Sequence, residues 1–322
     1  MADDVVTGLD GDVGRITLGR PRALNALTTD MVARIDGALQ EWTGLGLRAV
    51  VIESDSDNFC AGGDVRALRE LALDGRWADI EAFFSTEYRM NQRLAEYPVP
   101  VVSLIDGMCM GGGMGLSVHG TYRVVTERAV MAMPETMIGF LPDVGATYFL
   151  SHLPGALGLY LGLTGYRMTA ADALDACLAT HHAPSARLRE LADALVGTAD
   201  APEQVLAGFA SSPAEPSALA AHRAEINAAF SAPDVGTTLE YLTEMDSPWS
   251  LSTAAQLRGA SPTSLAVTHE LIRLGRRRSL RECLYAEREA AVRMVRHPDF
   301  AEGVRAGLVD KDRKPSWASP AA

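Results

Sequence analysis

The chain has 322 residues, 48% hydrophobic and 22% charged, a balance that fills a sizeable core and excludes a disordered or fibrous protein. With 41 acidic against 29 basic side chains the net charge is -12, which repels phosphate backbones and anionic membrane surfaces, so neither nucleic acid nor membrane is expected as a partner. Cys60, Cys109, Cys177 and Cys283 stand far apart with no CxxC pair, which argues against a zinc ribbon or a disulfide scaffold and fits a reducing compartment. The acidic start Met1-Ala2-Asp3-Asp4 has neither the basic-plus-apolar pattern of a signal peptide nor that of a transit peptide, so the expected location is the cytoplasm.

In chain order, Gly11-Asp12 is a turn signal ahead of residues 13–18, where Val13, Arg15 and Thr17 alternate with Gly14, Ile16 and Leu18. This predicts a hairpin into a half-buried strand. Thr28 and Thr29 are candidate N-caps for an amphipathic helix with the stripe Met31, Val32, Ile35, Leu39 and Trp42. Residues 48–54 read as a short buried strand, so strand, helix and strand make one α/β unit. The theme recurs with a helix over 78–97, a strand over 99–105, a glycine-rich turn, a short helix and a strand over 122–126. Residues 144–166 carry no formal charge, but His152, Pro154 and five glycines interrupt them, which suits a buried turn and helix rather than a membrane span. From Leu188 onward Ala, Leu, Glu and Arg dominate, and the segments after Pro262 and over 280–295 have helical spacing. The division drawn is residues 1–200 as an α/β core and 201–322 as a helical region.

The chemistry concentrates at two glycine turns. Phe59-Cys60-Ala61-Gly62-Gly63-Asp64-Val65 follows a buried strand and precedes a helix, and residues 105–116, with Gly111-Gly112-Gly113, repeat that arrangement. Neither is a Walker loop or a dinucleotide fingerprint. Two such turns can aim two backbone NH groups at one oxygen, the arrangement that stabilises an oxyanion on a carbonyl, with close helix-to-sheet packing as the rival reading.

Cys60-Ala61-Gly62-Gly63-Asp64, Gly111-Gly112-Gly113, Met133-Pro134-Glu135-Thr136 and the opening Arg20-Pro21 through Asn25-Ala26-Leu27, in this order, resemble the crotonase superfamily of acyl-CoA enzymes. Within it, the runs 59–65, 110–120, 134–139, 142–145, 261–264, 302–306 and 309–312 are similar to the 3-hydroxyisobutyryl-CoA hydrolase family. The resemblance implies an α/β fold, a crotonase-like spiral of ββα units with a C-terminal helical region. It also implies a homo-oligomer, trimer or dimer of trimers, that acts on an acyl-CoA substrate. No metal and no cofactor are implied, coenzyme A being part of the substrate. The backbone NH groups of Gly63 and Gly112 would form the oxyanion hole. Ala61 would lie beside the adenine, and Gly62, Asp64 and Glu87 would join it in substrate binding.

Hydratases of this superfamily use two glutamates, and this sequence retains only Glu135; three residues beyond Gly112 stands Gly115. A new acid, Asp143, follows eight residues after Glu135. Thioester hydrolysis needs a carboxylate, an oxyanion hole and a proton for the leaving thiolate. Glu135 is therefore assigned as nucleophile through a mixed anhydride or as general base, and Asp143 as the residue that binds a 3-hydroxyl and assists protonation. Taken without the glycine turns, Glu135 would read as a helix-start charge, Asp143 as a turn residue and Glu87 as part of a solvated helix face. His119 receives no role, and Cys60 and Cys109 read as packing residues. Arg22, Lys311 and Lys314 are candidates for the phosphates of coenzyme A, while Arg276-Arg277-Arg278 reads as a solvated helix end. Two other activities compete with hydrolysis: enoyl-CoA hydration or isomerisation through Glu135 alone, and acyl-CoA binding without turnover.

Overall fold

The computed structural model describes residues 3–318, so Met1 and Ala2 of the acidic start lie outside the described residues. The chain forms two compact units. The first takes residues up to Gly63, Thr86–Met131 and Arg167–Ala218, and the second takes Asp64–Ser85, Ala132–Tyr166 and the residues from Leu219 onward.

The strands are β1 (Val5–Asp10), β2 (Val13–Leu18), β3 (Ala49–Ser54), β4 (Val101–Ile105), β5 (Met108–Met110), β6 (Tyr122–Val125), β7 (Val130–Ala132) and β8 (His181–His182), and all but the last residue of β7 belong to the first unit. Six of them form one sheet in the order β1-β2-β3-β4-β6-β8, and β5 pairs with β7. The expected hairpin is present: β1 and β2 run antiparallel with Asp10 opposite Val13, closing on Gly11-Asp12. All later pairings in the large sheet are parallel, which requires crossovers such as the helix Thr29–Trp42 between β2 and β3. The Thr28 side chain caps that helix by accepting from the Met31 amide, and the whole predicted stripe is buried.

Side-chain alternation then decides what covers the sheet. Val13, Val51, Val102, Leu104 and Val124 pack with Leu191, Ala192 and Leu195 of the helix Leu188–Gly197 and with Val205 and Leu206 of Pro202–Ala207. Each fully buried aliphatic chain contributes about 1.5–3 kcal/mol.

Asn25 ties the first connection to the exit of β3. It is fully buried, with a left-handed backbone (φ 56°). Its Nδ2 lies 2.7 Å from Ser54 Oγ, 2.9 Å from the Asn58 carbonyl and 3.0 Å from the Phe59 carbonyl, and its Oδ1 accepts from the Arg20 amide at 2.7 Å. One amide thus fixes the path by which the chain reaches Cys60 and the first glycine turn.

The second unit is helical, and no strand follows His182 among the described residues. The uncharged stretch folds as the buried helices Ala146–Ser151 and Leu157–Thr164. The later expectations are met by Pro262–Gly275 and Leu280–Arg296. Among the described residues no helix is long and apolar enough to cross a membrane.

Replacing Asn25 with Ala leaves buried carbonyls without their donor and places Ala in a disfavoured backbone region. The expected loss is about 2–4 kcal/mol, read as a lower midpoint in thermal or urea melts. Ser54→Ala takes one acceptor from the Asn25 amide and also removes the hydroxyl that accepts from the Ser56 amide and donates to the Asn58 carbonyl, and is expected to cost about 1–2 kcal/mol.

Candidate active site

The structure brings the two glycine turns together inside the first unit. Cys60 and Cys109 form a parallel bridge, with the Cys60 amide donating to the Met108 carbonyl and the Met110 amide to the Cys60 carbonyl, both at 2.9 Å. A second bridge joins Leu27 to Gly63, the Leu27 amide donating to the Gly62 carbonyl at 2.8 Å. The approach is so close that a Cβ on Gly112 would lie 3.2 Å from the Gly63 amide nitrogen, and one on Gly113 would lie 2.5 Å from the Cys60 carbonyl oxygen. Gly112 opens the helix Gly112–Ser117, so its NH is one of the first-turn donors that have no partner within the helix. The Gly63 NH meets no backbone acceptor among the described residues. The two glycines thus stand side by side, and neither NH has a backbone acceptor among the described residues.

Glu87 lies on the helix Trp77–Ala95 and is 2% exposed. It is no solvated helix face: its Oε1 is 2.8 Å from where a Gly112 Cβ would stand. One helical turn on, Asn91 is fully buried, and neither its amide nitrogen nor its oxygen has a hydrogen-bond partner among the described residues. Each such group costs about 1–3 kcal/mol, and its i+4 spacing from Glu87 was the only trace of it in the sequence. Ala61 donates its amide to the Leu24 carbonyl at 2.9 Å. Gly62 adopts φ 108°, which lets the chain turn there.

Cys60 and Cys109 are both fully buried. Burial pushes the Cys60 thiol far above its ordinary value and the Cys109 thiol up to about 12, so they pack as uncharged thiols and offer no nucleophile. An open groove of about 930 Å³ on this unit is lined by Glu53, Asp55, Asp57, Asp106 and Asp193 against Arg15 and Arg189. That excess of acids disfavours a diphosphate.

The acids stand in the second unit. Glu135 begins the short 3-10 turn Glu135–Ile138, is 8% exposed, and its Oε2 is buried with no hydrogen-bond partner among the described residues. Burial, and after it the charge of Asp143, hold its carboxyl well above the ordinary carboxylate range. Asp143 is 6% exposed and sits in the loop ahead of Ala146–Ser151, its carbonyl accepting from the Ala146 amide at 2.8 Å. The two predicted acids are thus buried and electrostatically coupled. A third acid went unseen in the sequence. Glu287, on the helix Leu280–Arg296, is fully buried and accepts from the amides of Gly145 and Thr147. Burial raises its carboxyl to about 8.

Two of the family-like runs act here as supports. The Ser261 amide donates to the Thr136 carbonyl at 3.2 Å, and a Cβ on Gly303 would run into the Ile138 carbonyl. Thr136 is held on its other side, its hydroxyl donating to the Leu163 carbonyl at 3.0 Å. The Asp64 side chain, also in this unit, caps the helix Val65–Leu73 by accepting from the Ala67 amide at 3.2 Å. Lys311 and Lys314 lie on the C-terminal stretch that Arg305 ties to Glu302, Asp310 and Asp312. Arg22 lies on the Pro21–Ala23 turn of the first unit.

Over residues 13–322 the sequence matches the family described as Enoyl-CoA hydratase/isomerase. A Danio rerio protein named "3-hydroxyisobutyryl-CoA hydrolase, mitochondrial" is 41% identical over 317 residues, which cover 95% of this chain and 83% of that one. Among solved structures, a carnitinyl-CoA dehydratase from Mycobacterium thermoresistibile has a TM-score of 0.92 at 38% identity, covering 98% of this chain and 92% of that one. An enoyl-CoA hydratase from Rhodobacter sphaeroides 2.4.1 has a TM-score of 0.91 at 41% identity, covering 98% and 93%. The chain has the crotonase fold and belongs to the enoyl-CoA hydratase/isomerase family.

Proposed function

We propose that the chain is an acyl-CoA thioester hydrolase that converts 3-hydroxyisobutyryl-CoA and water to 3-hydroxyisobutyrate and coenzyme A, a step of valine breakdown. The observation that carries this reading is the placement of acids. The helix after the second glycine turn holds Gly115 in place of a hydratase glutamate, while a second acid, Asp143, is buried eight residues after the buried Glu135. The hydrolase named above, similar over most of its length, supports the same choice.

In the mechanism we assign, the Gly63 and Gly112 amides hold the thioester oxygen as it gains negative charge. Glu135 attacks the carbonyl carbon to give a mixed anhydride that water then cleaves, or deprotonates the water that attacks. The carbon–sulfur bond breaks, and the thiolate leaves with a proton that Asp143 helps deliver while it holds the 3-hydroxyl. Glu87, Ala61, Gly62 and Asp64 are assigned to substrate binding. The catalytic role goes to residues 1–200 and a supporting role to the helical residues 201–322. A cytoplasmic location rests on four free cysteines, although the Danio rerio relative is named as mitochondrial. Assembly as a trimer or a dimer of trimers rests on the family resemblance.

The names borne by the two solved structures favour a second reading, hydration or dehydration of an enoyl thioester. A panel of 3-hydroxyacyl, enoyl and saturated thioesters, followed for free thiol and for the enoyl chromophore, separates the two. The hydrolase releases thiol from the 3-hydroxyacyl ester, whereas chromophore change without thiol sinks the proposal.

Glu135→Gln is expected to lower kcat by a factor on the order of 10² or more, and Asp143→Asn to act chiefly on the hydroxyacyl substrate. Gly112→Ala, which sets a methyl against Glu87 and the Gly63 amide, is expected to cost on the order of 10²-fold in kcat. Because the reaction needs Glu135 ionised and its surroundings favour the neutral form, kcat/KM should rise with pH about a midpoint above the ordinary value of about 4.3. Stability follows the opposite sign. The folded state holds the Glu135 proton more tightly than the unfolded one, so this contribution is complete below the ordinary carboxylate pKa and is lost as pH rises through the raised value. Melting of Glu135→Gln against the unmodified protein should therefore show the variant gaining relative stability as pH rises.

A further inference from the structure

We propose that Glu287 is a positioning residue for Asp143, the buried acceptor that fixes the loop on which Asp143 stands; this rests on the catalytic role assigned to Asp143 above. The loop is held in a conformation it would not choose by itself. Val144 has φ 54° although it is β-branched, and it is 1% exposed. Such a backbone costs on the order of 1–3 kcal/mol and persists only where surrounding contacts over-determine it.

One side chain, Glu287, supplies three contacts directly after Val144. Glu287 Oε2 accepts from the Gly145 amide at 2.6 Å, and its Oε1 accepts from the Thr147 amide at 2.8 Å and from the Thr147 hydroxyl at 2.6 Å. The partners lie 140 and 142 positions away in the chain. Three donors, two of them backbone, meet both oxygens of one acid just after Val144. The short backbone path from Gly145 back to Asp143 leaves the aspartate little freedom while this grip holds.

Among the described residues Glu287 accepts from no other hydrogen-bond partner that would explain its burial. Its helix packs through Cys283, Leu284, Ala290, Ala291, Met294 and Val295, and an apolar residue in its place would complete that face. A carboxyl group there is costly to bury without hydrogen-bond partners, and the partners it has are Gly145, at the end of the Asp143 loop, and Thr147, in the first turn of the helix that follows. No water-facing role is open to it, since it is 0% exposed. It acts through the backbone rather than on a reacting group.

The test uses Glu287→Gln, close in shape, which sets an amide NH₂ against groups that are themselves donors. Two readouts are taken on the full chain. In the first, hydrogen exchange of the Gly145 and Thr147 amides should quicken at least tenfold in Glu287→Gln while exchange elsewhere in Leu280–Arg296 stays unchanged. In the second, thioester hydrolysis by Glu287→Gln should fall by a factor on the order of 10 to 100. The double variant with Asp143→Asn should fall no further than the slower single variant. Unchanged exchange, or losses that multiply in the double variant, overturns the proposal. Should Glu287→Gln fail to fold, Thr147→Val, which removes only the hydroxyl donor, carries the test: a severalfold loss that vanishes in the Asp143→Asn background supports the role, and an unchanged rate overturns it. If the unmodified chain hydrolyses no thioester in the panel, the functional reading fails, and the exchange measurement still decides whether Glu287 holds the loop.

Discussion

The distance between two backbone bends governs this molecule. Where Cys60 bridges to Cys109, the chain leaves no room for a side chain at Gly113, and at Gly112 the space a Cβ would fill lies 3.2 Å from the Gly63 nitrogen. Sheet hydrogen bonds bring the strands to this point, and the absence of side chains lets the bends close. The result is a pair of NH groups with no backbone acceptor among the described residues. Asn25 belongs to the same device, because its amide fixes the segment that delivers Cys60 to the bridge.

Burial alone does not decide what an acid does here; its donors do. Glu135 and Glu287 are both withdrawn from water, and burial raises both carboxyls. Glu287 receives three hydrogen bonds and becomes part of the framework. Glu135 keeps an oxygen with no partner among the described residues, in the field of Asp143. Glu287 has both of its oxygens engaged by the chain, whereas Glu135 Oε2 is engaged by none of the described residues.

Much of this was legible in the sequence because it is local. The Gly11-Asp12 hairpin, the stripe from Met31 to Trp42 and the two glycine turns each depend on residues within a few positions of one another, where periodicity and turn chemistry operate. Glu135 and Asp143 could be named for the same reason, standing eight residues apart. Glu287 could not, since its position on a helix reads as one charge among many until residues about 140 positions earlier are seen to point at it. The runs at 261–264 and 302–306 were visible as likeness, but their work, holding the Thr136 carbonyl and the back of Ile138, is a matter of contact across the chain. Asn91 escaped notice because nothing in a helical pattern distinguishes a buried amide with partners from one without.

The alternation of the two compact units has a consequence for synthesis. The chain passes between them after residues 63, 85, 131, 166 and 218, so no single proteolytic cut releases either one whole. On the ribosome, the first unit has all its segments once Ala218 has been made. The Asp143 loop, although translated in the first half, must wait for the helix Leu280–Arg296 to emerge before its strained backbone finds the acceptor that holds it.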